Sequence, residues 1–227
     1  MKKLTTNELQ SIITYIQKRG FTYIDVQTEV LDHVACRVED MMNQNPKLSL
    51  DAAINKAHSE FGIFGFSAVE DAVISGLTKK YNRFFWRTFI SFLGPKYILL
   101  VLLAGYFLYK VQAFLNSNTG MYILAGATLI TAIVYLIKSY RSAYKQYLAY
   151  RLSTAYFIGL GSFYSLMMLI IKERESLSIA GMNIGFAMFS AFMLCFWIYV
   201  MSAVQTAKQG IQAAEEIRQK YQYLTPN

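Results

Sequence analysis

Five side chains that could do chemistry fall along one predicted helix near the N-terminus. Asp25, Glu29, Asp32, His33 and Cys36 follow one another at i, i+4, i+7, i+8 and i+11, so they share a helical face and three of them could approach one cation. Glu29 and His33 are the best-spaced pair, and with Asp32 they are the set a metal would use. A zinc-hydrolase pattern needs a second histidine four residues from the first with a glutamate beside it, and the sequence has none. The face therefore reads as acidic, solvated or packed on another helix. Asp25, Glu29, Asp32 and His33 are its candidates for binding a partner, and no metal or other cofactor is assigned. His58 stands alone on a later helix and reads as a histidine at the surface or core edge.

Other chemistry is not signalled. The sequence has no phosphate-binding glycine loop, no G-x-S-x-G, no H-E-x-x-H and no kinase signature, and no histidine follows His58. An intramembrane enzyme needs a nucleophile with a base, so the chain reads as not an enzyme. Cys36 lies in a polar region and Cys195 in an apolar run, which suits two unbonded thiols in a reducing compartment.

The elements that carry these residues divide the chain in two. Of its 227 residues 55% are hydrophobic and only 16% charged, which is apolar for a soluble protein. Residues 1–80 hold nine Lys/Arg against ten Asp/Glu, whereas residues 81–227 hold thirteen against four. The basic excess flanks apolar runs, where it meets anionic headgroups and sets topology, and this argues against nucleic acid as a partner. Two lysines open the chain with no apolar core behind them, so no cleavable signal peptide is expected.

Residues 1–80 read as three or four short helices. Thr5 and Glu8 have capping-box spacing before a stripe of Leu9, Ile12, Ile13 and Ile16, and Gly20 supplies a stop. A second helix runs from Thr22 to about Asn43 on Ile24, Val30, Leu31, Val34, Val38 and Met41, and Asn45-Pro46 ends it. Ser49 opens a third, on Leu50, Ala53, Ile54, Ala57 and Phe61. The glycine-aromatic stretch 61–66 reads as a tight turn, and Ser67 with Glu70 reads as a second capping box opening a fourth helix. So small a core is marginal alone and is expected to lean on the membrane or on a partner.

The run Glu29-Val-Leu-Asp32-His33-Val, then Val38-Glu39, an Ala-rich helix, Phe61-Gly62 and Gly65-Phe66 resembles HAAS, a helical domain of bacterial proteins found beside membrane spans or PadR-type regulators. The resemblance covers roughly residues 5–78 and implies a non-catalytic signalling or interaction module. The order of this helix before four spans is also similar to uncharacterised membrane proteins of the Bacteroidetes.

Residues 81–96 are expected to form an interfacial helix. Around it Lys79, Lys80, Arg83 and Arg87 alternate with aromatics including Phe85 and Trp86, a mixture that suits the headgroup layer. Four spans follow at 97–115, 121–137, 152–171 and 177–204, with a tail at 205–227. Lys110 is the one charge in a span and lies near enough to its end to snorkel. The hinge at 138–151 carries Lys138, Arg141, Lys145 and Arg151 with no acid, so it is expected on the cytoplasmic side of an inner membrane, as are both termini. Tyr140, Tyr144 and Tyr147 suggest that the hinge continues as two helical stalks with a tyrosine seam. Gly181 and Gly185 form a GxxxG extended by Ala187 and Ser190, for packing within the chain or for a homo-oligomer, and Gly159 and Gly161 thin the third span. Asn183 is taken as the only amide in a span.

The expected architecture is thus all-α, a small cytosolic helical domain followed by a four-helix transmembrane bundle. Its expected role is to bind a cytosolic protein partner from a bilayer anchor. The alternative is the membrane subunit of a small exporter whose ATPase would dock on the tyrosine-rich hinge.

Overall fold

The structure, a computed structural model, describes residues 3–60, 66–115, 118–173, 178–179 and 182–221. Among the described residues its regular elements are helices, apart from a short antiparallel ladder that pairs Ser178 with Asn183 and Ile179 with Met182. The chain divides into two compact units, one formed by Met1–Lys80, Arg141–Leu152 and Gly210–Asn227, the other by Tyr81–Tyr140 and Ser153–Gln209.

The first unit is built on α1 (Thr6–Lys18), α2 (Ile24–Gln44) and α3 (Leu50–Glu60). The Thr5/Glu8 capping box is formed, with the Thr5 amide donating to Glu8 at 2.7 Å, and Gly20 leaves the helix at φ +94°, a conformation that glycine adopts without a Cβ penalty. The expected stripes meet. Ile12, Ile13 and Ile16 pack against Val26, Val30, Leu31, Val34, Val38 and Met41, and Ala53, Ile54 and Ala57 close the core. Two residues from far along the chain, Leu148 and Tyr221, complete it. The extra surface that so small a core needs therefore comes from within the chain. Residues 61–65, with Phe61, lie outside the described residues; Phe66 is buried, and its carbonyl accepts from the amides of Val69 and Glu70 as the next helix opens at Ser67.

That helix, α4 (Ser67–Ser91), runs without a break through the point where an interfacial helix was expected to begin. Nothing in Leu77-Thr-Lys-Lys-Tyr81 interrupts a helix; the stop comes at Gly94-Pro95, where the Gly94 amide turns back to the Ser91 carbonyl. Phe85, expected among the headgroups, is instead buried in the second unit. It stacks on Tyr156 with ring centroids 4.3 Å apart, and Tyr199 meets it edge-on.

The second unit holds most of the apolar helices. These are α5 (Ile98–Leu115), α6 (Asn118–Ser139), α8 (Leu160–Glu173) and the first part of α9 (Ile184–Lys220). Among the described residues three stretches are long and apolar enough to cross a membrane: Gly120–Ser139, Leu148–Lys172 and Ile184–Lys220. α5, expected as a fourth, is apolar but shorter, since its 18 residues rise about 27 Å, just under the ~30 Å hydrocarbon core.

The boundaries differ from expectation in three places. The hinge is not a pair of helical stalks. α6 ends at Ser139 and a 3-10 turn at Ser142–Tyr144 precedes α7 (Leu148–Thr154), because the Arg141 amide donates to the Tyr150 hydroxyl at 2.8 Å and the Gln146 carbonyl accepts from the Ile24 amide at 3.0 Å. The third apolar stretch tightens into a 3-10 turn at Ala155–Gly159. The fourth helix starts later than 177 and continues without a break into the tail, since α9 is one 37-residue helix; it starts at Ile184 because the Asn183 side chain accepts from the Phe186 amide at 3.1 Å and caps it.

Candidate functional site

The acidic face of α2 exists as the spacing implied, but much of it binds the chain's own later segments. Asp25 is only 6% exposed, and its two carboxylate oxygens accept from the amides of Leu148 and Ala149 at 2.9 and 2.7 Å. Those amides begin α7 and have no helical partner of their own, so the carboxylate satisfies donors that burial would otherwise strand. Burial pushes the Asp25 carboxyl above its ordinary range, and the two amide bonds pull it only part of the way back.

Two helical turns on, Asp32 accepts from the Tyr221 hydroxyl at 2.7 Å, with the Lys220 ammonium 3.6 Å away. Arg151 reaches the ring and hydroxyl of Tyr23, the residue before α2. The hinge tyrosines turn inward as well. Tyr147 and Tyr150 are buried with Ala214 of the tail, Tyr144 donates to Glu215 at 2.7 Å, and Tyr140 alone of the expected seam stays exposed.

What remains open is the pair Glu29 and His33. Their side chains are about half exposed and 3.3 Å apart, and they edge a groove of about 420 Å³ floored by Ala68, Val69, Ala72 and Val73 of α4. Glu29, Asp32 and His33 do not converge, and among the described residues no three His, Cys, Asp or Glu side chains come together as a metal would need. Cys36 and Cys195 are free thiols. His58 sits half-buried with its ring 4.8 Å from that of Phe66 and edge-on to it; burial, helped by Arg19, lowers its pKa.

The expected interface cations Lys79, Lys80, Arg83, Arg87, Lys138, Arg141, Lys145 and Arg151 are all exposed, as is Trp86. Of the helix-packing pair, Gly185 is buried and Gly181 lies outside the described residues. Gly159 makes room for a side chain: a Cβ there would come 2.5 Å from the Tyr199 hydroxyl, which donates to the Tyr156 carbonyl. Gly161 faces open space.

Sequence reasoning passed over Gln112. Asn183 is a cap, whereas the Gln112 amide is wholly buried in the second unit and joins α5 to α9 by donating to the Ser190 hydroxyl at 2.7 Å and to the Phe186 carbonyl at 2.9 Å. A glutamine inside an apolar run was the available signal. Tyr221 and the amides of Leu148 and Ala149 were also missed, and no local pattern points to them.

The chain matches no family model, no curated protein and no solved structure.

Proposed function

We propose that this is a multi-pass bacterial inner-membrane protein whose first unit, a HAAS-like cytosolic module, binds a protein partner and performs no catalysis. Four apolar helices anchor it, the shorter α5 crossing with the other three, and both termini and the 140–147 turn face the cytoplasm, where their cations meet anionic headgroups. The observation that carries the reading is the split use of the α2 face. Asp25 and Asp32 are engaged by the chain's own residues 148–149 and 220–221, while Glu29 and His33 stay open beside an apolar groove.

That groove suits an amphipathic helix with a basic residue at its edge, apolar anchors on the alanine-valine floor and a cation toward Glu29. An exporter subunit is the less supported reading. Its ATPase would need the hinge tyrosines, and Tyr147 and Tyr150 are spent on the tail.

The test is photo-crosslinking in intact cells from a benzophenone side chain at Ala72, followed by membrane fractionation. A discrete protein adduct at Ala72, lost in Glu29→Lys and absent when the probe sits at Lys56, is the expected result. Identical adducts at both positions, unaffected by Glu29→Lys, would refute the groove as the partner's seat.

A further inference from the structure

We propose that the groove between α5 and α9 is a binding site for an anionic membrane lipid, with the acyl chain lying along its apolar floor and the headgroup held at Lys110. The inference rests on the membrane reading above. The groove encloses about 820 Å³ and is walled by side chains such as Leu102 and Gly105 of α5 and Ala191 and Leu194 of α9. Gly105 is what lets the walls converge, since a Cβ there would lie 3.1 Å from the tip of Leu194.

Its polarity is one-sided. Along α5 the lining is aliphatic from Ile98 to Gly105, and Tyr106, Tyr109 and Lys110 follow together at one end. Ile98 and Lys110 are about 18 Å apart at the helical rise of 1.5 Å per residue, a little more than one leaflet of a ~30 Å hydrocarbon core. A slot one leaflet deep, apolar along its length and cationic at its mouth, has the polarity of a single lipid.

Charge decides between a lipid and a second copy of the chain. Among the described residues that line the groove Lys110 alone is charged; it is exposed, and its ammonium lies 5.4 Å from the Tyr106 ring centroid. The apolar runs at 97–115, 121–137, 152–171 and 184–204 contain no Asp or Glu, so a span from another copy brings no counter-charge. A phosphate in the headgroup layer does, and Lys110, near the end of α5, snorkels toward it. On the proposed topology the headgroup belongs to the leaflet away from the cytoplasm.

Cys195 lines the same groove and serves as the reporter. The full chain carrying Cys36→Ser is extracted in detergent and reconstituted into nanodiscs of phosphatidylglycerol or of phosphatidylcholine with matched acyl chains, and maleimide alkylation of Cys195 is timed by intact mass. Alkylation several-fold slower in phosphatidylglycerol is expected, with the difference abolished in Lys110→Gln and kept in Lys110→Arg. Equal rates in the two lipids, or a difference that survives Lys110→Gln, overturn the site. Protection that grows with the number of copies per disc overturns it in favour of a second copy. A chain recovered in the aqueous fraction without detergent overturns the membrane reading, and this inference with it.

Discussion

Asp25 shows how one carboxylate can serve two segments at once. It lies on α2, yet the donors it satisfies belong to residues more than a hundred positions away. Asp25→Ala strands two buried amides, at a cost of about 1–3 kcal/mol for each. Asp25→Asn keeps one acceptor and loses less. The expected signature is local: hydrogen exchange at Leu148 and Ala149 accelerates in both variants, most in the alanine. Exchange unchanged in Asp25→Ala would mean that the carboxylate does not hold this turn. The pH dependence follows from the raised carboxyl. The folded state binds this proton more tightly than the unfolded chain, so the contribution is complete below the ordinary value of 3.8 and is lost as pH rises through the raised one. Thermal melts across that range should show a falling limb that Asp25→Asn, with no proton to release, flattens. The helical spacing made the face that includes Asp25, Glu29 and His33 legible, because i, i+4, i+8 is local geometry. What each carboxylate binds was not legible, because Tyr221 and the Leu148 amide carry no pattern that points back to α2.

At the scale of elements, the amphipathic helices were the readable part. Stripes at 3.6 residues, the Thr5/Glu8 box and Gly20 each act within a turn or two, and they fix α1 to α3 closely. The apolar helices were harder, since an all-apolar run has no face to read and only its ends are marked. Helical stalks at the hinge were a reasonable extrapolation from its tyrosine spacing, but the Ile24 amide and the Tyr150 hydroxyl offer the hinge backbone bonds that a helix would forgo. The 3-10 turn at Ala155–Gly159 escaped notice for a related reason, being fixed by Tyr199 some forty residues later. Gly159→Ala drives a methyl against the Tyr199 hydroxyl and should break its bond to Tyr156. We expect a loss of about 1–3 kcal/mol, with Tyr199→Phe alone costing about 1 kcal/mol, both measured by reversible unfolding in detergent. Equal stability of Gly159→Ala and the parent would show that the turn has room to spare.

Taken whole, the first unit is assembled from three stretches of chain that other residues separate. Ending the chain after Gln209 removes Ala214 and Tyr221, and with them the cover of Tyr147 and Tyr150 and the Asp32 bond. Such a truncation is expected to expose the 141–152 amides to exchange while leaving α1 to α3 paired, a distinction that exchange read peptide by peptide makes directly. Unaltered protection over 141–152 would show the tail to be dispensable. The same arrangement imposes an order on biosynthesis. Asp32 and Tyr221 stand 189 residues apart, so a ribosome adding about 5–20 residues each second delivers the tyrosine roughly 10–40 s after the aspartate. For all of that interval Asp32 lacks its tyrosine, and a chaperone or protease meets a different molecule from the one present once residue 221 has emerged.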